Sequence, residues 1–314
     1  MELNYIIHAH KNPQQLKRLV ERLSTPNTNF YIHIDRSIDL KPFRDELTSF
    51  NNLFLFDDNQ RIRVTWANIS QVEATLLAIK KVISDNRKGY CILMSGQDYP
   101  IKTNQYINSF FESNKGKNFI SGAPMLSEKI WRDGLHRIEK YNFHPYENER
   151  VVLAIPSIYD LSFYTKQTLR NIRSLLKTGE RKHIFKIFVN RNLPDNVSLY
   201  NGSNWWAFPI ETLLTIDEFV ENNPKYINYH KWTHCTDEIF FHSIVFSKLN
   251  NQLISDSVTY VNWTRKGCQL PVTFTEDDFD ELTVNNDKLF ARKFDVPLSS
   301  AIFDKIDREI LLAK

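Results

Sequence analysis

The segment His234-Cys-Thr-Asp-Glu238 sets two adjacent carboxylates at the start of an apolar helical pattern. A carboxylate displayed there suits a general base that takes a proton from an attacking hydroxyl. Acidic residues in a first helical turn also complement the helix dipole, so local pattern alone leaves both roles open. His230, His234, Cys235 and His242 carry ligating side chains, but their spacing matches no standard zinc pattern. Phe30-Tyr-Ile-His-Ile-Asp-Arg-Ser37 ends a strand in a carboxylate and a hydroxyl, fit either for a base or ribose or for a plain Asx turn. Ser37 stands where a second carboxylate would complete Asp-x-Asp, so that pair is not available to hold Mg²⁺ or Mn²⁺. Ser95-Gly-Gln-Asp-Tyr-Pro-Ile-Lys102 also follows a strand, and Gly96 and Pro100 force a turn that displays Asp98 and Tyr99. Ala291-Arg-Lys-Phe-Asp295, with Arg265-Lys266 upstream, supplies cations, either as surface charge or for an anion that no metal neutralises.

Positioning such groups requires a rigid frame, and the first half of the chain provides its pattern. Apolar runs at Leu3–Ala9, Phe30–Ile34, Leu53–Phe56 and Tyr90–Met94 read as strands. Between them, Pro13–Leu23 reads as a helix with Pro near its start. Ile69, Val72, Leu76, Ile79 and Ile83 recur at helical intervals, which predicts a helix over Ser70–Ser84. Strands separated by helices imply an α/β fold with a mainly parallel central sheet flanked by helices on both faces. Ligands of such sheets sit beyond the carboxyl ends of the strands, which here are followed by His10, Asp35 and Ser95–Pro100. The stretch Met125–Val152 is polar and aromatic with weak periodicity and reads as long loops over a site. Phe163–Leu176 reads as a helix with a basic outer face, and Asn201–Trp206 as a turn feeding an aromatic segment. Ile210–Val220 and Asp237–Phe246 read as helices, the latter with Thr236 as N-cap, and a last helix starts near Ser299.

The bulk composition sets outer limits. The chain has 314 residues, no internal repeat and no linker, so one compact domain over 1–314 is expected. A net charge of +3 is too small to imply nucleic-acid binding. Cys91, Cys235 and Cys268 are too few and too scattered for a disulfide framework, which fits a reducing compartment. No stretch is apolar enough to span a bilayer, and the start lacks the pattern of a signal peptide, so a cytoplasmic location is expected. Peripheral membrane association stays open.

Taken in order, seven segments resemble the core 2/I-branching β-1,6-N-acetylglucosaminyltransferase family, which also contains peptide-O-xylosyltransferases. They are Ile7-His-Ala-His10, Tyr31-Ile-His-Ile-Asp-Arg-Ser37, Trp66-Ala-Asn-Ile-Ser-Gln-Val72 and Leu93-Met-Ser-Gly-Gln-Asp-Tyr-Pro-Ile-Lys102, then Gly202-Ser-Asn-Trp-Trp206, Thr236-Asp-Glu-Ile-Phe-Phe-His242 and Leu289-Phe-Ala-Arg-Lys-Phe-Asp295. The resemblance implies a GT-A-like (Rossmann-like) fold without the Asp-x-Asp motif, divided into a nucleotide-sugar half over about 3–120 and an acceptor-binding and catalytic half over about 121–314. It implies inverting transfer of a sugar, GlcNAc or xylose in this family, from a UDP-sugar to a glycan acceptor, with no metal and no cofactor. Glu238 then becomes the catalytic base. His10 and Asp35 face the nucleotide, and Lys293, with Arg292 or Arg265, holds the diphosphate. Trp205 and Trp206 line the sugar site, Asp98 and Tyr99 lie in the loop below donor or acceptor, and Glu128, Arg137 and Lys140 are acceptor candidates. Animal members carry a membrane anchor and disulfides, which this sequence lacks, so a soluble bacterial-type member is implied. A non-catalytic carbohydrate- or nucleotide-binding protein on the same fold is the rival reading. A glycosidase would need a second catalytic carboxylate, and the sequence nominates none.

Overall fold

The computed structural model describes residues 1–125, 134–146, 150–192, 194–195, 197–284 and 287–312. The amino-terminal half runs β1 (Leu3–Ala9), α1 (Pro13–Leu23), β2 (Thr28–Ile34), α2 (Lys41–Leu47), β3 (Leu53–Leu55), α3 (Ser70–Ser84), β4 (Tyr90–Ser95), β5 (Asp98–Pro100), α4 (Asn104–Ser113) and β6 (Asn118–Pro124). After it come α5 (His136–Glu139), β7 (Tyr141–Phe143), β8 (Leu153–Ile155), α6 (Lys166–Leu175), β9 (Tyr200–Pro209), α7 (Ile210–Asn222), α8 (Pro224–His230) and α9 (Phe240–Lys248). The chain closes with β10 (Ile254–Ser255), β11 (Thr259–Val261), α10 (Phe279–Val284), β12 (Phe290–Arg292) and α11 (Ser300–Ile306).

Seven strands form the central sheet in the order β10-β6-β9-β4-β1-β2-β3. Strands β3, β2, β1 and β4 are parallel, and β9 runs antiparallel to both β4 and β6. This is the α/β architecture expected, a mainly parallel sheet with helices on both faces. Alternation along the strands divides the core in two. Tyr5, Ile7, Phe30 and Ile32 pack with α1, α2, α4 and α11 on one face. Ile6, Tyr31, Cys91 and Leu93 pack with α3, α7 and α9 on the other. The chain leaves β1 toward β2 and later returns to its opposite side as β4, which makes the β1/β4 edge a topological switch point.

Helices α1 and α3 have the predicted limits because each carries one unbroken apolar stripe; in α1 it is Leu16, Leu19, Val20 and Leu23. Two expectations fail. Asn201–Trp206 is not a turn but part of β9, with Gly202 opposite Gly122 in register. A Cβ on Gly202 would lie 1.8 Å from the Ser121 carbonyl oxygen, so the glycine serves close strand approach rather than a bend. Asp237–Phe246 is not one helix either. Thr236–Glu238 forms a 3₁₀ turn, Ile239 breaks the path, and α9 begins at Phe240. Thr236 does not cap it, since its Oγ1 donates instead to the Thr233 carbonyl at 2.8 Å.

Met125–Val152, read as loops, contains α5 and β7 and leads directly into β8, with residues 126–133 and 147–149 outside the described set. A small sheet of β11, β12 and β5 packs at the end of the molecule that carries the strand termini, with β12 antiparallel to β5.

The buried imidazoles give a pH dependence. Burial pushes the pKa of His33 down to about 4, of His230 to about 3 and of His242 to about 4, so the native chain keeps them neutral. The unfolded chain protonates them near 6.5, and below that pH it binds more protons than the native state. Stability is therefore lost as pH falls from 6.5 toward 4. Asp237, pushed up to about 7 by burial and by Glu238, acts in the opposite sense because its native form takes a proton first. His8, His144 and His234 are lowered in the same way and Asp98 is raised like Asp237, so two carboxyls against six imidazoles leave a net loss of up to about 1.4 kcal/mol per net proton and pH unit. Thermal melts near pH 7.5 and pH 5 check this. A Tm at the lower pH that equals or exceeds the other contradicts it.

Candidate active site

The carboxyl ends of β1, β2 and β4 open on one side of the sheet, and the residues that follow them come together there. At the end of β2, Asp35 accepts from the Ser37 amide and hydroxyl through Oδ1, both at 2.7 Å, and from the Val64 amide through Oδ2 at 3.1 Å. This is an Asx turn, and the carboxylate is half-buried. The buried Arg61 donates to the carbonyls of Asp35 and Ile38, which ties this turn to the segment that follows it. His10 is exposed at the end of β1, within electrostatic range of Lys11, Asp35, Arg292 and Asp295.

Strand β12 is the main donor of positive charge. Its Arg292 donates through Nη1 to Asp98 Oδ1 at 2.8 Å and to Ser95 Oγ, and its guanidinium lies 4.5 Å from the Trp205 ring centre. Asp98 is 1% exposed and also accepts from the Ser95 amide at 2.8 Å. Burial raises its pKa, against the opposing pull of Arg292. Lys293, the next residue, forms no ion pair among the described residues. Partial burial and the charges of Lys11, Arg292 and Arg150 lower its pKa. Lys11 itself pairs with Asp295 at 2.6 Å. Of the three cations at the mouth of the sheet, Arg292 and Lys11 are thus paired with carboxylates, while Lys293 has no ion pair among the described residues.

Glu238 reaches the same side by another route. Cys235 adopts a left-handed backbone, φ 51°, and its amide donates to the Ala67 carbonyl at 2.9 Å, which pins the turn to the amino-terminal half. Arg137 of α5 donates through Nη1 to Glu238 Oε2 at 2.8 Å, and the His234 amide donates to the Arg137 carbonyl at 3.0 Å. Oε1 has no hydrogen-bond partner among the described residues, and the side chain is 35% exposed. Burial, with His144 and Arg137, pushes His234 down to about 4, so it is neutral beside the carboxylate. Trp66 joins the two groups of charges. Its ring is 5.4 Å from that of His234 and 5.5 Å from the guanidinium of Arg150, whose charge acts on Lys293.

Several candidates lie elsewhere. Tyr99 is fully buried on the opposite face of β5 from Asp98; its hydroxyl donates to Asp307 at 2.7 Å and its ring packs on Phe303, so it belongs to the core. Trp206 is likewise core, stacked on Phe208 at 4.4 Å, whereas Trp205 meets Arg292. Arg265 pairs with Asp278 and Glu281, each at 2.6 Å, so two carboxylates compensate its charge. Lys140 is held by its carbonyl, which accepts from Arg191 and Asn142. Glu128 lies outside the described residues. His230 is buried among Tyr226, Tyr229 and Phe240, and His242 bonds the Ser203 carbonyl, so the two are packing residues. No cluster of three or more ligating side chains occurs among the described residues. Lys11, Arg61 and Arg150 were not singled out by sequence; only the adjacency of Lys11 to His10 offered a signal.

Comparison with known proteins bears on this arrangement. A family model described as Core-2/I-Branching enzyme matches residues 3–285. Beta-glucuronosyltransferase GlcAT14B of Arabidopsis thaliana is 24% identical over 327 aligned positions, covering 98% of this chain and 66% of that protein. A xylosyltransferase of Ciona intestinalis is 22% identical over 96% of this chain, and Xylosyltransferase 2 of Homo sapiens is 23% identical over 98%. The chain spans about a third of the length of these xylosyltransferases. Among solved structures, a 4-diphosphocytidyl-2C-methyl-D-erythritol synthase from Anaerococcus prevotii aligns over 70% of this chain and 75% of that one, with 13% identity and a TM-score of 0.34.

Proposed function

The chain belongs to the Core-2/I-branching enzyme family, and from that premise we propose that it is an inverting glycosyltransferase that moves a sugar from a UDP-sugar to a carbohydrate hydroxyl, with Glu238 as base and without a divalent cation. The observation that carries the reading is a partly exposed carboxylate with one unengaged oxygen, in a turn whose His234 meets Trp66, while Trp66 in turn meets Arg150, whose charge acts on Lys293. Glu238 Oε1 accepts the proton of the acceptor hydroxyl as its oxygen bonds to the anomeric carbon. The bond from that carbon to the diphosphate oxygen breaks on the opposite side, and UDP departs with the electron pair. Lys293 and Arg292 stabilise the charge that develops on the leaving group. Arg137 occupies Glu238 Oε2 and so fixes which oxygen works. The negative charge of Asp98 keeps the Arg292 guanidinium at the end of β4.

The donor follows from a thermal-shift screen of UDP-GlcNAc, UDP-xylose and UDP-glucuronate in EDTA, the last two suggested by the names of the relatives. A bound donor raises Tm by mass action, about 2.7 kcal/mol of stabilisation at a hundredfold excess over Kd. One of the three is expected to shift the melt without added metal. A shift that appears only when Mn²⁺ is supplied defeats the metal-free part. Binding of a donor without transfer to any acceptor of a glycan panel favours the non-catalytic reading.

A further inference from the structure

The segment 157–191 has no part in the chemistry above, yet it carries eight Lys and Arg against two Asp and Glu, a net +6 in a chain whose total is +3. Lys166, Arg170, Arg173 and Lys177 recur at helical intervals along the outer face of α6, and Arg181, Lys182 and Lys186 continue in the 3₁₀ segment Gly179–Phe188. All seven are exposed, and none forms an ion pair among the described residues. Like charges spaced i, i+4 cost a helix a few tenths of a kcal/mol per pair, and nothing inside the described molecule offsets this.

Large apolar side chains stand among these cations. Leu161 is 90% exposed, Tyr164 74% and Phe185 73%, with Tyr159 and Phe188 beside them. They form one surface, because the Ile158 amide donates to the Ile187 carbonyl at 2.9 Å and the Tyr164 hydroxyl donates to the Ile158 carbonyl at 3.1 Å. Leu169 of α6 and Leu176, which caps it, are exposed and flank the basic stripe. The backing is firm: Leu175 and Ile187 pack with Tyr141, Phe143, Leu153 and Ile155 in a small core of their own.

We propose that this face docks on an anionic lipid bilayer. A bilayer interface accepts both halves of the pattern at once, since aromatic and leucine side chains enter the headgroup boundary while Lys and Arg meet lipid phosphates. A soluble polyanion would engage the cations and leave Leu161 and Phe185 in water. A protein interface would deplete charge at its centre, whereas here seven exposed cations share the face with the exposed apolar residues. Strand β7, whose Tyr141 and Phe143 back this face, also carries Asn142, which donates to the Arg137 carbonyl at 3.0 Å. The inference is independent of the catalytic reading.

Flotation of the full chain with vesicles of phosphatidylcholine, and of phosphatidylcholine with an equal part of phosphatidylglycerol, tests it. Binding is expected only to the anionic vesicles and is expected to weaken with salt. Arg170→Gln with Arg173→Gln should lower partitioning about twenty-five-fold, at about fivefold for each cation removed. Leu161→Ser with Phe185→Ser should lower it about tenfold or more. All four positions are exposed, so an unchanged Tm and far-ultraviolet spectrum show that the variants are folded. Three results overturn the proposal. They are absence of vesicle binding by the parent chain, binding of soluble polyglutamate as tight as that of vesicles and untouched by the serine pair, and a concentration-dependent dimer of the parent chain that the serine pair abolishes.

Discussion

Glu238→Gln is expected to yield a folded protein that still binds UDP but transfers sugar about two to four orders of magnitude more slowly. The substitution keeps the size and the hydrogen-bonding oxygen of the side chain while it removes the capacity to take a proton. Arg137 loses a charged partner yet keeps an acceptor, and because the pair is partly exposed the stability change should stay within about 1 kcal/mol. The measurement is a single-turnover rate alongside the UDP affinity of the same preparation. Transfer within a fewfold of the parent would remove Glu238 from the mechanism. A parallel loss of UDP affinity would instead mark it as a donor contact.

The second large effect is on stability. Asp98→Ala strips a fully buried carboxylate from Arg292 and from the Ser95 amide. Removing one partner of a buried pair leaves the other uncompensated, at about 3–5 kcal/mol. In a chain of this size that lowers Tm by roughly 10 °C. Asp98→Asn retains an acceptor for Ser95 and should lose about half as much. The Arg292 guanidinium is then free to leave Trp205, so UDP should bind more weakly to the Asn variant than its stability alone would require. Urea unfolding with titration of UDP separates the two losses. Parent-like stability in the Ala variant would mean that Arg292 finds other partners and that Asp98 holds nothing in place.

Elements governed by a single period were legible before any coordinates. Strand β1 and helices α1 and α3 have the boundaries their apolar spacing predicts, because each buries one face or two without help from distant residues. The Asx turn at Asp35 was legible too, as one of two alternatives, since it involves residues only two positions apart. What escaped depends on partners remote in sequence. Gly202 reads as a turn until Ser121 is known to lie against it. Tyr99 and Trp206 look like site aromatics by type, but strand alternation turns each toward the interior, and only the sheet neighbours reveal which side that is. Arg265 looked like a free cation because the carboxylates that claim it lie in the acidic helix start at Asp278 and Glu281.

The Arg292–Asp98 pair joins residues 194 positions apart, and the family match ends at residue 285, short of β12. On a ribosome adding roughly 5–20 residues per second, the carboxylate emerges some 10–40 s before its partner is made. Throughout that interval the nascent chain has β1, β4 and the turns that follow them but lacks the strand that brings Arg292 and Lys293 to them. Strand β12 brings Arg292 and Lys293 to the mouth together when it pairs with β5, with Asp295 close behind to take up Lys11. A chain cut short before β12 is therefore expected to hold nucleotide more weakly, since both cations proposed for the diphosphate come with that one strand.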